Sequence, residues 1–237
     1  MSSLIGISGK IGSGKDLMFH ILGYLAQEDD WKNFSDYMSN AFFVHRKYEN
    51  KKFAYPIKWI VSVLIGCDIR QLEDREFKDK ELGEEWRQYF NDDNCDLVCK
   101  EESTFSSLLT PRKLLQLLGT EAGRQIIHPN IWVNALFADY NPLGFDYKGS
   151  AGKNIKGSWV YPKWIITDVR FPNEVEGIKD RGGIVIRINR DNGTRAIDVN
   201  PHLSETALDD YDGFDYVIEN DGSIEDLVDK IRQLNIV

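Results

Sequence analysis

Gly9, Gly12, Gly14, Lys15 and Asp16 place glycines, an ammonium and a carboxylate within eight residues. The stretch Gly9-Lys10-Ile11-Gly12-Ser13-Gly14-Lys15-Asp16 follows the apolar run Leu4-Ile5-Gly6-Ile7 and precedes an amphipathic pattern. Strand, glycine-rich loop and helix in that order form a phosphate cradle. Glycines let the backbone curl so that several N–H groups face one anion. The helix adds the positive end of its dipole, and Lys15 adds a mobile cation for the outer phosphates. Position 16 departs from the common pattern, which has a hydroxyl residue there to reach Mg²⁺. A carboxylate is also a hard oxygen ligand and can serve directly or through water.

Other groups suited to the same chemistry lie far along the chain. Asp168 and Arg170 close the apolar run 164–167, and Arg190 follows the run 184–188. In phosphoryl transfer the charge is spread over the group in flight, so catalysis is mostly positioning and neutralisation. Lys15 would bridge the outer phosphates of the donor. Asp16 and Asp168 would position Mg²⁺, and Arg170 and Arg190 would contact the acceptor phosphate or the transferring group, as arginine forks suit phosphate oxygens. The plain alternatives are a turn carboxylate for Asp168 and surface charge for the two arginines. Arg112, Gln116, Thr120 and Arg124 recur every four residues, as either a ligand-facing stripe or the solvated face of an amphipathic helix. Gly119 beside Thr120 would let a ligand approach closely. Trp132 would either stack on a base or fill the core.

These groups need elements to carry them. Strands are expected over Leu4–Ser8 and residues 51–55, 164–167, 184–188 and 216–218. Helices are expected after the loop through Leu25, from Pro56 through Leu64, from a Thr110 cap and Pro111 onward, from Ile131 through Tyr140, over 173–181, and after a capping box at Ser223 and Asp226. Residues 28–40 show no clean period, Asp92-Asp93-Asn94 reads as a turn, and residues 144–157 read as a surface loop. Alternating strands and helices imply an α/β fold, a parallel sheet covered on both faces with ligands beyond the strand carboxyl ends. The loop, Asp168, Arg170 and Arg190 all fall at such ends.

The chain has 237 residues and a net charge of −9. That size suits one α/β domain with insertions, or at most two small domains. The acidic balance argues against general binding of nucleic acid or an anionic membrane. No apolar run reaches membrane-spanning length, and the N-terminus lacks a basic-then-apolar signal pattern. The expectation is a cytosolic chain. Cys67, Cys95 and Cys99 read as reduced thiols without zinc spacing.

In order along the chain, the blocks Gly9 to Asp16, Pro56-Ile57-Lys58, Arg112 to Leu118 with Gly119-Thr120, Trp132-Val133, Asp168 and Arg170 with Glu174, His202 with Ser204-Glu205, and Asn220-Asp221-Gly222-Ser223 resemble the deoxynucleoside monophosphate kinases of bacteriophages. The Asp at position 16 belongs to that resemblance, whereas Leu17 stands where many relatives have Thr. The resemblance implies a P-loop NTPase fold of three αβα layers, with a central, mostly parallel five-stranded sheet like that of nucleoside monophosphate kinases. It implies a single domain over residues 1–237, with a charged insertion around 70–104 and a lid-like loop around 190–202. It implies transfer of the γ-phosphate of ATP to a deoxynucleoside monophosphate, with Mg²⁺, in deoxynucleotide biosynthesis. Gly9, Gly12, Ser13, Gly14, Lys15, Asp16 and Asn220 would bind ATP. Ile57, Lys58, Arg112, Gly119, Thr120, Arg124, Trp132, Asp168, Arg170 and Glu174 would form the acceptor pocket. The setting would be a host-cell cytoplasm if the chain is of phage origin. Such kinases often form homodimers, and the sequence shows no heptad or apolar patch that marks one. The competing readings are a P-loop kinase for another small molecule, such as dephospho-coenzyme A or phosphomevalonate, and a nucleotide-dependent switch.

Overall fold

The computed structural model describes residues 2–27, 31–40, 47–90, 105–148, 156–190 and 202–237. In chain order the elements are β1 (Leu4–Ser8), α1 (Lys15–Leu25), α2 (Phe34–Asn40), β2 (Glu49–Lys51), α3 (Tyr55–Ile65), α4 (Arg75–Asp79), β3 (Arg87–Phe90), β4 (Phe105–Leu108) and α5 (Pro111–Gln116). They continue with α6 (Ile131–Phe137), β5 (Gly144–Lys148), β6 (Lys156–Val160), β7 (Trp164–Val169), α7 (Pro172–Lys179), β8 (Ile184–Asn189), α8 (Leu203–Thr206), β9 (Tyr216–Glu219) and α9 (Ile224–Gln233). Two compact units result, one of Met1–Phe53 with Trp132–Val237 and the other of Ala54–Ile131.

The first unit is built on a five-stranded sheet in the order β2-β7-β1-β8-β9, with every pairing parallel. Side chains alternate across it. Ile5, Ile7, Ile165, Ile186 and Ile188 pack with Met18, Ile21 and Leu22 of α1, Phe34 and Tyr37 of α2, and Leu227 and Ile231 of α9. Leu4, Trp164, Ile166 and Val185 pack on the other face with Val133 and Phe137 of α6 and Val175 and Ile178 of α7. The fold is therefore a three-layer αβα sandwich. Both central strands β1 and β7 are buried throughout, which is why they read as continuous apolar runs rather than alternating ones. At Gly6 a Cβ would lie 2.6 Å from the Ile178 side chain, so glycine there lets α7 sit close against the sheet.

Several local expectations shift. The second strand is Glu49–Lys51 and not 51–55, because Pro56 sets the first turn of α3 and draws Tyr55 into that helix. Within 28–40, an aromatic-rich helix forms at 34–40. Part of 144–157 is not loop, since Gly144–Lys148 pairs antiparallel with Lys156–Val160. The charged stretch also contains a strand, β3, paired antiparallel with β4. The expected turn at Asp92-Asp93-Asn94, two of the cysteines (Cys95 and Cys99) and the lid-like loop lie outside the described residues, apart from the loop's ends at Arg190 and His202.

In the second unit the Thr110 hydroxyl caps α5 by accepting from Lys113 N at 3.1 Å. Past Gln116 the backbone widens into a π-helix over Leu117–Ile127. The four-residue spacing of Arg112, Gln116, Thr120 and Arg124 therefore does not continue as one α-helical stripe. Backbone bonds there run over five residues, and Arg124 Nη1 reaches the Gly119 carbonyl at 2.5 Å.

Candidate active site

The glycine-rich loop leaves the carboxyl end of β1 and ends at the first turn of α1. Gly12 and Gly14 take positive φ values of 79° and 106°, backbone that favours glycine. Gly9 is needed for space: a Cβ there would stand 2.5 Å from the Ile188 carbonyl oxygen and 2.4 Å from Ser13 Oγ. Asn220, just past β9, braces the loop from below. Its Nδ2 donates to the Ser13 carbonyl at 2.9 Å, and its own N–H donates to the Asn189 carbonyl at 2.7 Å. Asn220 is buried, and these two bonds make it a brace of the loop.

A cavity lies where β1, β7 and β8 end, lined by Gly9, Lys10, Lys15, Arg170, Arg187 and Glu205 among others. Among the described residues, four cations and one carboxylate thus share one small space. The free volume is about 20 Å³, room for about one water. Lys15 Nζ folds back onto the carbonyls of Gly9 and Lys10, each at 2.8 Å. Arg170 Nη1 donates to Glu205 Oε1 at 2.7 Å, and Lys10 Nζ donates to the Glu205 carbonyl at 2.8 Å. Lys10 also pairs with Asp209. A phosphate entering here would replace the loop carbonyls and Glu205 as the partner of these cations. Burial pulls the Lys15 ammonium down to about 8, with Arg170 acting in the same direction and Asp16 and Glu205 opposing.

Glu205 owes its place to α8, a single turn whose start is capped by His202 Nδ1 accepting from Ser204 N at 3.2 Å. Arg170 owes its place to Glu174. The Glu174 side chain is 1% exposed, and its Oε2 accepts from Arg170 N at 2.7 Å and Phe171 N at 3.1 Å. Glu174, expected to touch substrate, instead ties the β7–α7 turn and leaves no exposed face for a ligand. Asp168 is buried as well, with Oδ1 accepting from Phe53 N at 2.8 Å. Trp132 is 4% exposed and sits as a core residue of α6, not as an open stacking plate. Arg190 is exposed beyond the end of β8 and is not among the cavity's lining residues. The arginine that lines the cavity from that strand is Arg187, which sequence reasoning missed. Its signal was a cation inside the apolar run Ile184-Val185-Ile186-Arg187-Ile188.

The second unit carries its own charged group. Lys58 Nζ pairs with Glu73 Oε1 at 2.7 Å, and Arg112 grips Asp79 through Nε at 2.5 Å and Nη2 at 3.1 Å. Lys78 stands near both cations, and burial together with Lys58 and Arg112 lowers its pKa. Gly119 and Thr120 are buried, and a Cβ on Gly119 would meet the Ile57 side chain at 3.4 Å.

For a divalent cation, Asp16 offers an exposed carboxylate in the first turn of α1, beside Lys15. No group of three or more His, Cys, Asp or Glu side chains gathers among the described residues. A single carboxylate beside a phosphate loop is the type of ligand Mg²⁺ takes, since that ion is held largely by phosphates and water with one or two carboxylates. No helix among the described residues is long and apolar enough to cross a membrane.

Comparison with known proteins agrees with this architecture. The chain is 28% identical over 211 residues to the deoxynucleoside-5'-monophosphate kinase of Escherichia phage T5, covering 76% of this chain and 73% of that protein. It is 32% identical over 123 residues to the deoxynucleotide monophosphate kinase of Escherichia phage RB69 and 32% identical over 124 residues to that of Enterobacteria phage T4. Those two matches cover 52% and 51% of this chain but only 43% of each relative. A family model described as deoxynucleotide monophosphate kinase matches residues 61–231. With most of its length matched, the chain belongs to the deoxynucleotide monophosphate kinase family.

Proposed function

We propose that this protein transfers the γ-phosphate of ATP to a deoxynucleoside 5′-monophosphate, giving ADP and the deoxynucleoside diphosphate. The observation that carries the reading is the cation-lined cavity at the carboxyl ends of β1, β7 and β8, where Lys15 and Arg170 meet the glycine-rich loop. Family membership supplies the acceptor class.

The chemistry asks little covalent help of the protein. The second phosphate pKa is about 6, so at neutral pH the acceptor oxygen is already anionic and no general base is needed. What the chain must do is bind, orient and neutralise charge. The loop N–H groups and Lys15 take the donor phosphates, which would draw the Lys15 ammonium away from the carbonyls of Gly9 and Lys10. Arg170, held by Glu174 through its backbone, exchanges Glu205 for a phosphate oxygen. Asp16 would hold Mg²⁺, which when bound supplies a further positive charge to the donor phosphates; Asp168 is the second candidate, with one oxygen already given to Phe53 N.

For the acceptor we assign Lys58 and Arg112 to its dianionic phosphate, in exchange for Glu73 and Asp79, with Ile57, Gly119, Thr120 and Arg124 around them. We also propose that residues 1–237 work as one kinase domain into which Ala54–Ile131 is inserted.

The test is to incubate the protein with ATP, Mg²⁺ and each deoxy- and ribonucleoside monophosphate in turn, and to quantify ADP and diphosphate. Diphosphate with one or more deoxynucleotides supports the reading. ATP binding without turnover on any of them overturns it in favour of another acceptor or a nucleotide switch.

A further inference from the structure

We propose that Arg187 is a further catalytic residue, a strand-borne cation that contacts the terminal phosphate of the donor and the phosphoryl group in flight. This inference rests on the phosphoryl-transfer reading above.

Arg187 differs from the other cations of the cavity in how it is held. Lys10 and Arg170 sit on loops beyond strand ends, and both are bonded to Glu205. Arg187 lies within β8, a central strand paired on both sides, level with Ser8 of β1 and Val217 of β9. Ser8 immediately precedes Gly9, so the sheet sets the Arg187 backbone against the start of the phosphate loop. The side chain is 12% exposed and lines the same cavity as Lys15.

Among the described residues its charge is only partly compensated, by a distant carboxylate and by the Phe214 ring, whose centroid lies 5.7 Å from the guanidinium carbon. Nη1 donates to Ser8 Oγ at 3.0 Å, and Nε donates to Asn189 Oδ1 at 3.2 Å, both neutral acceptors. Among the described residues it pairs with Asp209 Oδ1 at 3.8 Å, and Asp209 also pairs with Lys10. Arg187 also repels the Lys15 ammonium, one of the influences that lower its pKa. A largely buried cation whose hydrogen-bond acceptors are neutral, and whose one distant carboxylate is shared with Lys10, is costly to a fold unless a further anion completes it. Fixed in advance on a rigid strand, it is the kind of group that stabilises developing negative charge without reorganising. The hydrogen bonds from Arg187 to Ser8 and Asn189 hold the guanidinium for that task. In the transfer, the bond between the β,γ-bridging oxygen and the γ-phosphorus breaks, and its electron pair leaves on ADP. A phosphate oxygen of the acceptor forms the new bond, and Arg187 stays protonated throughout.

The experiment compares wild type with R187Q and R187K. Calorimetry without acceptor gives the affinities for ATP and ADP, and saturating turnover gives kcat. In R187Q we expect ATP affinity to fall about tenfold more than ADP affinity, and kcat to fall by about 100-fold or more. R187K should recover part of both. A merely structural arginine would weaken ATP and ADP alike. Equal losses, or a kcat within about threefold of wild type, overturn the proposal. If R187Q does not fold, the ATP-to-ADP comparison on R187K decides. A wild type that phosphorylates no deoxynucleoside monophosphate, while R187Q still shows the unequal loss, sinks the acceptor assignment and leaves Arg187 in place.

Discussion

Replacing Glu174 tests whether a buried carboxylate organises the catalytic turn. Its Oε2 alone takes two backbone N–H groups, those of Arg170 and Phe171, at the start of α7. A hydrogen bond to a charged acceptor contributes about 1.5–3 kcal/mol net, and a carboxylate at a helix N-terminus adds about 0.3–1 kcal/mol. Glu174→Ala loses all of this and leaves one buried and one part-buried donor without their acceptor, so we expect a cost of about 4 kcal/mol. For a chain of this length, each kcal/mol shifts Tm by about 2–4 °C, giving a fall of about 8–16 °C. Glu174→Gln can offer its amide oxygen to both donors and loses chiefly the charge assistance, about half the strength. It should fall by about 4–8 °C. Thermal melts followed by circular dichroism and by calorimetry read both variants, and turnover should drop in the Ala variant because Arg170 loses its backbone anchor. A fall of less than about 3 °C for Glu174→Ala would refute the reasoning. So would a Gln variant as damaged as the Ala variant, since the shared-oxygen geometry predicts a clear gap between them.

Further outcomes follow from the same site. Lys15 is depressed to about 8 in the protein, so its charged form, needed for phosphate, is lost as pH rises through about 8 rather than through the ordinary lysine range; kcat/KM for ATP should decline there, and ATP binding at that pH should take up protons, measurable by calorimetry in buffers of different ionisation heat, with a flat profile to pH 10 counting against the assignment. Asn220→Ala removes the buried bond to the Ser13 carbonyl and should cost about 1–3 kcal/mol, lowering Tm by several degrees and weakening ATP binding; unchanged ATP affinity would show that the loop needs no brace. Arg112→Ala should raise KM for the monophosphate about tenfold or more while moving Tm by less than about 3 °C, because its ion pair with Asp79 is solvent-exposed and worth at most about 1 kcal/mol; an unaltered KM rejects its place in the acceptor pocket.

What the sequence determined by itself was the local chemistry and the layer plan. The loop from Gly9 to Asp16 was legible because glycine positions and the flanking apolar periods are short-range properties. Four strands read from apolar runs formed where expected and joined a shifted second strand in a five-stranded parallel sheet, and the Thr110 and Ser223 caps formed as their spacing demanded. Tertiary structure alone decided which polar groups meet. Glu205, Arg187 and Lys10 lie far apart in the chain and converge only because β8 pairs with β1 and α8 returns over the strand ends. The same pairing left Arg190 outside the cavity and turned Glu174 and Asn220 inward as braces. Whether a carboxylate faces substrate or backbone depends on which N–H groups the fold brings within hydrogen-bond reach, as at Arg170 and Phe171. The widening at Leu117 was equally hidden, since an i,i+5 backbone pattern has no residue signature of its own.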